Sequence, residues 1–133
     1  MTSRNYWLPR KNFEKLLLKA IDEGLSSLGN SPRQAVYFYL EKRFNVKKRE
    51  IPYKIEEFVN AIEKIFGLGA KFLEICIIKQ LYQDVGQIFE WNEQHTDLIF
   101  TEYVVAARQS YLKKKQLQVQ YTTKELEEEI LTL

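Results

Sequence analysis

A nucleophile beside a base is the first arrangement to look for, and in these 133 residues Cys76 and His95 are the sole thiol and the sole imidazole. An activated thiolate needs an electropositive, partly exposed setting. Cys76 instead lies in the apolar run Ile75-Cys76-Ile77-Ile78, where a thiol is expected as a small core residue. His95 follows Glu93 in a polar stretch and is expected on the surface. One Cys cannot close a disulfide within the chain, and one Cys with one His is no ligand set for a structural zinc. The carboxylate runs Glu56-Glu57 and Glu127-Glu128-Glu129 carry no His or Asp at metal spacing and read as solvated helix faces. No catalytic residue, metal or cofactor is expected, which places an enzyme behind the binding classes.

Two further clusters have chemical interest. Glycines ahead of a helix can present backbone N–H groups to a phosphate, and Phe66-Gly67-Leu68-Gly69-Ala70 has that look. No Lys-Ser or Lys-Thr follows and no strand precedes, so the run departs from both nucleotide-binding fingerprints. Gly67 is expected as a left-handed helix cap and Gly69 as the point of close approach between two helices, with Ala70 completing this structural turn. The second cluster is Arg33, Lys42, Arg43, Lys47, Lys48 and Arg49, a patch that suits phosphates or an acidic partner. Nothing in the pattern declares a recognition helix to go with it.

The elements that must position these residues are helical almost throughout. From Pro9 to Leu28, Phe13, Leu16, Leu17, Ala20, Ile21, Leu25 and Leu28 recur at three- and four-residue steps, and Gly29 reads as the stop. Ser31 before Pro32 reads as the cap of a second helix through Val36, Tyr39, Leu40 and Phe44. Asn45 to Glu50 is polar and basic and reads as a loop outside the core, and Ile51 before Pro52 should be extended. A third helix starts near Tyr53 or Lys54 and ends at Gly67; a fourth follows Gly69-Ala70 and ends at Gly86. After a linker, Gln87 to Thr96, a fifth helix runs from Asp97 to about Lys115, with Lys113, Lys114 and Lys115 at its C-terminal end to complement the dipole. Its apolar residues exceed a narrow stripe, so it is either central to the bundle or a self-association surface built on Leu98, Tyr103, Val104, Val105, Tyr111 and Leu112. Leu117 to Tyr121 alternates like a short strand that would need a second copy to pair with. Thr122 and Glu125 read as a capping box for a short acidic helix ending at Leu133.

Composition agrees with a folded bundle. Hydrophobic residues make up 45% and charged residues 29%, with only 5 Gly and 3 Pro, so a disordered or fibrous chain is excluded. Residues 1–10 contain no apolar stretch of signal-peptide type, and no run reaches membrane-span length, so a cytoplasmic chain is expected. The net charge of +2 hides an asymmetry. Residues 1–50 hold 11 Lys/Arg against 5 Asp/Glu, while residues 51–106 hold 4 against 9. Such polarity suits an acidic partner for one face, or complementary faces within a homodimer.

Taken in order, Leu28-Gly29, Ala35-Val36-Tyr37, Leu40, Ile51-Pro52, Phe58, Ile65-Phe66-Gly67-Leu68-Gly69-Ala70, Leu73-Glu74 and Ile77 resemble the small archaeal domain family called the Nitrosopumilus output domain. The resemblance covers about residues 14–87, and its most specific part is the Ile-Phe-Gly-x-Gly-Ala run. It implies a signal-output module, occurring alone or attached to sensory domains, with no catalytic residues to carry over. The expectation is thus an all-α, compact bundle of about five helices in a single helical domain over 1–116, with a C-terminal extension over 117–133. It should serve as an archaeal regulatory or adaptor domain acting through protein partners or itself, with no small-molecule ligand. The alternative is a DNA-associated transcriptional regulator that uses the basic 33–49 region.

Overall fold

Phe13, Leu17, Ala20, Ile21 and Leu25 place five fully buried side chains on one stripe of the first helix, α1 (Leu8–Ser26), in the computed structural model, which describes residues 8–89 and 99–132. Four more α-helices follow: α2 (Asn30–Phe44), α3 (Ile55–Phe66), α4 (Ala70–Val85) and α5 (Phe100–Thr132). Short 3₁₀ helices occupy Lys48–Tyr53 and Gly67–Gly69. The fold is the all-α bundle expected from the sequence. α1 is its central element, packed most extensively on α4 and also against α2, α5 and the first 3₁₀ helix.

That intimacy with α4 depends on Gly24. A Cβ there would stand 2.6 Å from Cγ1 of Ile77, inside van der Waals contact, so a residue with no side chain is what lets α1 and α4 meet. Gly69, the expected site of close approach, has no such role: its φ is ordinary and a Cβ would lie 3.8 Å from its nearest neighbour, Phe66 Cβ.

The junctions differ from expectation in ways local chemistry explains. Gly29 does not end α1. Its φ of 110° makes it the N-cap of α2, whose first turn already contains Ser31 and Pro32. Proline is tolerated there because N–H groups of a first turn have no intrahelical acceptor. At the other end of α2, Asn45 adopts the left-handed conformation (φ 54°), and the Val46 N–H donates to the Leu40 carbonyl at 3.1 Å. This reversal drives Val46 into the core, so the basic stretch is no simple surface loop. Ile51 and Pro52 are also buried, and they sit in the 3₁₀ helix instead of an extended segment.

α5 departs most from expectation. It continues unbroken for 33 residues, so Leu117 to Tyr121 is helix and not strand, and no N-terminus exists at Thr122 for a capping box to close. Gln, Lys, Glu and Leu dominate 116–129, all good helix formers, and a lone strand with no partner is unstable. Lys113 to Lys115 therefore lie mid-helix and complement no C-terminal dipole. The first third of α5 packs on α1, α3 and α4 through Phe100, Val104, Ala107 and Tyr111. From Gln116 onward every described side chain is exposed, so roughly 25 Å of helix projects from the body.

Candidate functional site

The basic region resolves into a hub and a remainder. Asp22, on α1, receives the Arg33 guanidinium at 2.8 Å, the Tyr37 hydroxyl at 2.7 Å and the Lys48 ammonium at 3.2 Å. Arg33 and Lys48 also stand over the Tyr37 ring, 5.5 and 4.9 Å from its centroid. Partial burial alone would raise the Asp22 pKa, but the Tyr37 hydroxyl and the two cations outweigh it and bring the carboxyl to about 2. Burial first, and then this carboxylate, push the Tyr37 phenol up, and the hydrogen bond to Asp22 holds the Arg33 guanidinium more firmly protonated. The hub ties α1, α2 and the first 3₁₀ helix together. Two of the six expected phosphate contacts are committed to it.

Of the other four, Lys42 lies over the Phe38 ring at 5.7 Å, and Arg43, Lys47 and Arg49 are exposed. The Lys47 backbone N–H donates to Glu50 Oε1 at 3.1 Å, which lowers the Glu50 pKa and caps the 3₁₀ helix. Asp22 and Tyr37 were not legible as the hub from sequence. They lie 15 residues apart, and only the turn at Gly29 brings them together.

A second ionic site lies deeper. Glu14, buried on α1, takes a two-pronged contact from Arg108 of α5 at 3.1 and 3.2 Å, and the same guanidinium reaches the Pro52 carbonyl at 3.4 Å and covers the Phe13 ring at 5.1 Å. Arg108 also lines an open cleft of about 350 Å³ with Tyr53, Glu56, Glu57, Thr101 and Val105. Its paired guanidinium and exposed carboxylates make the cleft a polar seam between α3 and α5.

Cys76 is exposed on α4 and is not the core residue the apolar run suggested, because Ile77, Ile78 and Leu73 take the inward positions. His95 and Leu98 lie outside the described residues. Among those described, no group of His, Cys, Asp and Glu could hold a metal ion, and no helix is long and apolar enough to cross a membrane. At the glycine turn, Gly67 has φ 57° and ψ −125°, a conformation only glycine adopts readily, and its N–H donates to the Glu63 carbonyl. Ala70 is buried, so of the three turn residues only Gly67 is fixed by backbone conformation. The turn carries exposed apolar side chains: Leu68 is 94% and Phe72 75% accessible, with Ile65 beside them on α3.

The self-association set divides. Val104 and Tyr111 are buried within the chain, Tyr111 against Phe13, while Tyr103 and Leu112 are partly buried against the core. Tyr103 belongs to an aromatic trio with Tyr82 and Phe89 that seats the segment after α4. Val105 alone of the described set is exposed. The wide apolar face of α5 is thus satisfied by its own bundle and gives no argument for a dimer there. Scans of the chain against family models, curated proteins and solved structures return no match.

Proposed function

We propose that this chain is a non-enzymatic regulatory or adaptor domain of archaeal, signal-output type, working in the cytoplasm through protein contacts. The observation that carries the reading is the exposed trio Ile65, Leu68 and Phe72 at the α3–α4 turn. Large apolar side chains grouped on a solvent face are what protein-binding surfaces use. The resemblance over about residues 14–87, whose most specific part lies at this same turn, supports a signal-output role. The commitment of Arg33 and Lys48 to Asp22 weakens the DNA-binding alternative.

A photoreactive phenylalanine analogue at Leu68 should form a protein adduct of defined mass in cells, and Phe72→Asp should abolish it without lowering the melting temperature. The same analogue at Lys19, exposed on α1, should form none. Absence of an adduct at position 68, together with duplex-DNA affinity that falls steeply with salt, would replace this reading by the nucleic-acid one.

A further inference from the structure

We propose that the projecting half of α5 pairs antiparallel with the same segment of a second copy of the chain. This goes beyond the interaction reading above and stands whether or not the α3–α4 turn binds protein. Leu112, Val119 and Leu126 recur at seven-residue steps, and Gln116, Thr123 and Ile130 fall four residues after each. Together they form the a/d seam of a coiled coil, with Val119, Leu126 and Ile130 all exposed. The seam lies about a third of a turn from the stripe Phe100, Val104, Ala107 and Tyr111 that packs on the body; Leu112, its first position, is partly packed on the core, and from Gln116 onward a second helix reaches the seam without displacing that contact. Leu117 and Leu131, also exposed, fall off the seam.

Charge chooses the partner and its direction. The segment is basic at its start, Lys113 and Lys115, and acidic at its end, Glu127 and Glu129. Alongside the seam these occupy the e and g positions. A parallel pair would bring the two basic starts together and the two acidic ends together, with no Lys facing a Glu. An antiparallel pair about an axis near residue 121 seats Leu112 on Ile130 and Val119 on Thr123. It also sets Lys113 opposite Glu127 and Lys115 opposite Glu129, each twice by symmetry.

The test uses the full chain carrying Cys76→Ser. Sedimentation should show a concentration-dependent dimer, weakened by salt. Lys113→Glu with Lys115→Glu should raise its dissociation constant about tenfold or more, Glu127→Lys with Glu129→Lys should do the same, and all four together should restore it. Lys113, Glu127 and Glu129 are exposed, while Lys115 is half-buried with its ammonium over the Tyr111 ring at 5.6 Å; unchanged melting of the variants under monomeric conditions confirms that folding is intact. Direction is read separately by cysteine pairing under mild oxidation. Gln120→Cys, beside the axis, should link to itself. Leu112→Cys should not, since its two copies would stand about 27 Å apart, but it should link to Ile130→Cys. Self-linking at position 112 overturns the antiparallel arrangement. A monomer at several hundred micromolar, or charge-reversed variants that associate as well as the parent, overturns the pairing itself.

Discussion

Gly24→Ala should destabilise the chain, although alanine is the better helix former. The added Cβ would sit 2.6 Å from Ile77 Cγ1 and 3.5 Å from its Cδ1, with Leu73 Cδ1 at 3.7 Å. Cγ1 is next to the branch point of a fully buried side chain and cannot swing aside as a flexible end would. Overpacking of this kind costs about 1–3 kcal/mol, against a propensity gain of about 0.5–1 kcal/mol for replacing glycine inside a helix. At the middle of both ranges the net loss is about 1 kcal/mol, which for 133 residues lowers the melting temperature by about 4 °C. Urea unfolding at constant m-value, beside calorimetry, measures both quantities. A second background discriminates more sharply. Ile77→Ala alone should lose about 2–5 kcal/mol. Adding Gly24→Ala to it should then stabilise, because the clash is gone and the propensity gain remains. If Gly24→Ala is neutral or stabilising in the parent chain, or costs as much with Ile77→Ala as without, the close α1–α4 approach is not what glycine provides.

Arg108→Met should cost about 2–4 kcal/mol in denaturant unfolding, since it leaves the buried Glu14 carboxylate without its guanidinium, and Glu14→Leu in the same chain should return most of that loss. Gly67→Val should cost about 1–2 kcal/mol through backbone conformation alone, because nothing lies within 4 Å of an added Cβ, whereas Gly69→Ala should leave the melting temperature unchanged or slightly higher. The folded pKa of Asp22, about 2, lies below its unfolded value of 3.8, so its contribution is fully present above about pH 4 and disappears as pH falls toward 2. With the side chain about one-third accessible, that contribution is about 1 kcal/mol. Asp22→Asn should flatten this part of the stability–pH curve, and an unchanged slope in the variant would refute the assignment.

Helix periodicity made α1, α3 and α4 legible because each buries one stripe, and Gly67 and Gly86 announced their ends by a conformation other residues resist. What periodicity cannot encode is partnership across the fold. Gly24 looks like any helix glycine until Ile77 arrives opposite it, and Glu14 looks like a surface carboxylate until Arg108, 94 residues on, packs against it. α5 misled for a related reason. Two-residue alternation over Leu117 to Tyr121 is too short to separate strand from helix, and only the continuity of good helix formers from Gln116 to Glu129 decides. The basic patch was legible as residues and not as a surface, since Asp22 engages Arg33 and Lys48 in ion pairs.

The same local electrostatics accounts for much of the charge asymmetry between the chain's first and middle parts. Lys42 and Arg43 occupy the last turn of α2, where positive charge meets the negative end of the helix dipole, and Glu56 and Glu57 occupy the first turn of α3, where negative charge meets the positive end. Arg33 and Lys48 neutralise Asp22, and Glu50 caps a 3₁₀ helix while pairing with Lys54 at 3.4 Å. Once these are assigned, a duplex would find at most Lys42, Arg43, Lys47 and Arg49. Four phosphate contacts give a log–log salt slope of no more than about −3.6, and the binding would be weak and non-specific at physiological salt. Charge in the 33–49 region thus follows from how α1, α2 and the 3₁₀ helix are joined. On α5 too the fold accounts for charge locally: the Lys114 ammonium donates to the Gly86 carbonyl at 2.7 Å, and the Lys115 ammonium stands over the Tyr111 ring at 5.6 Å.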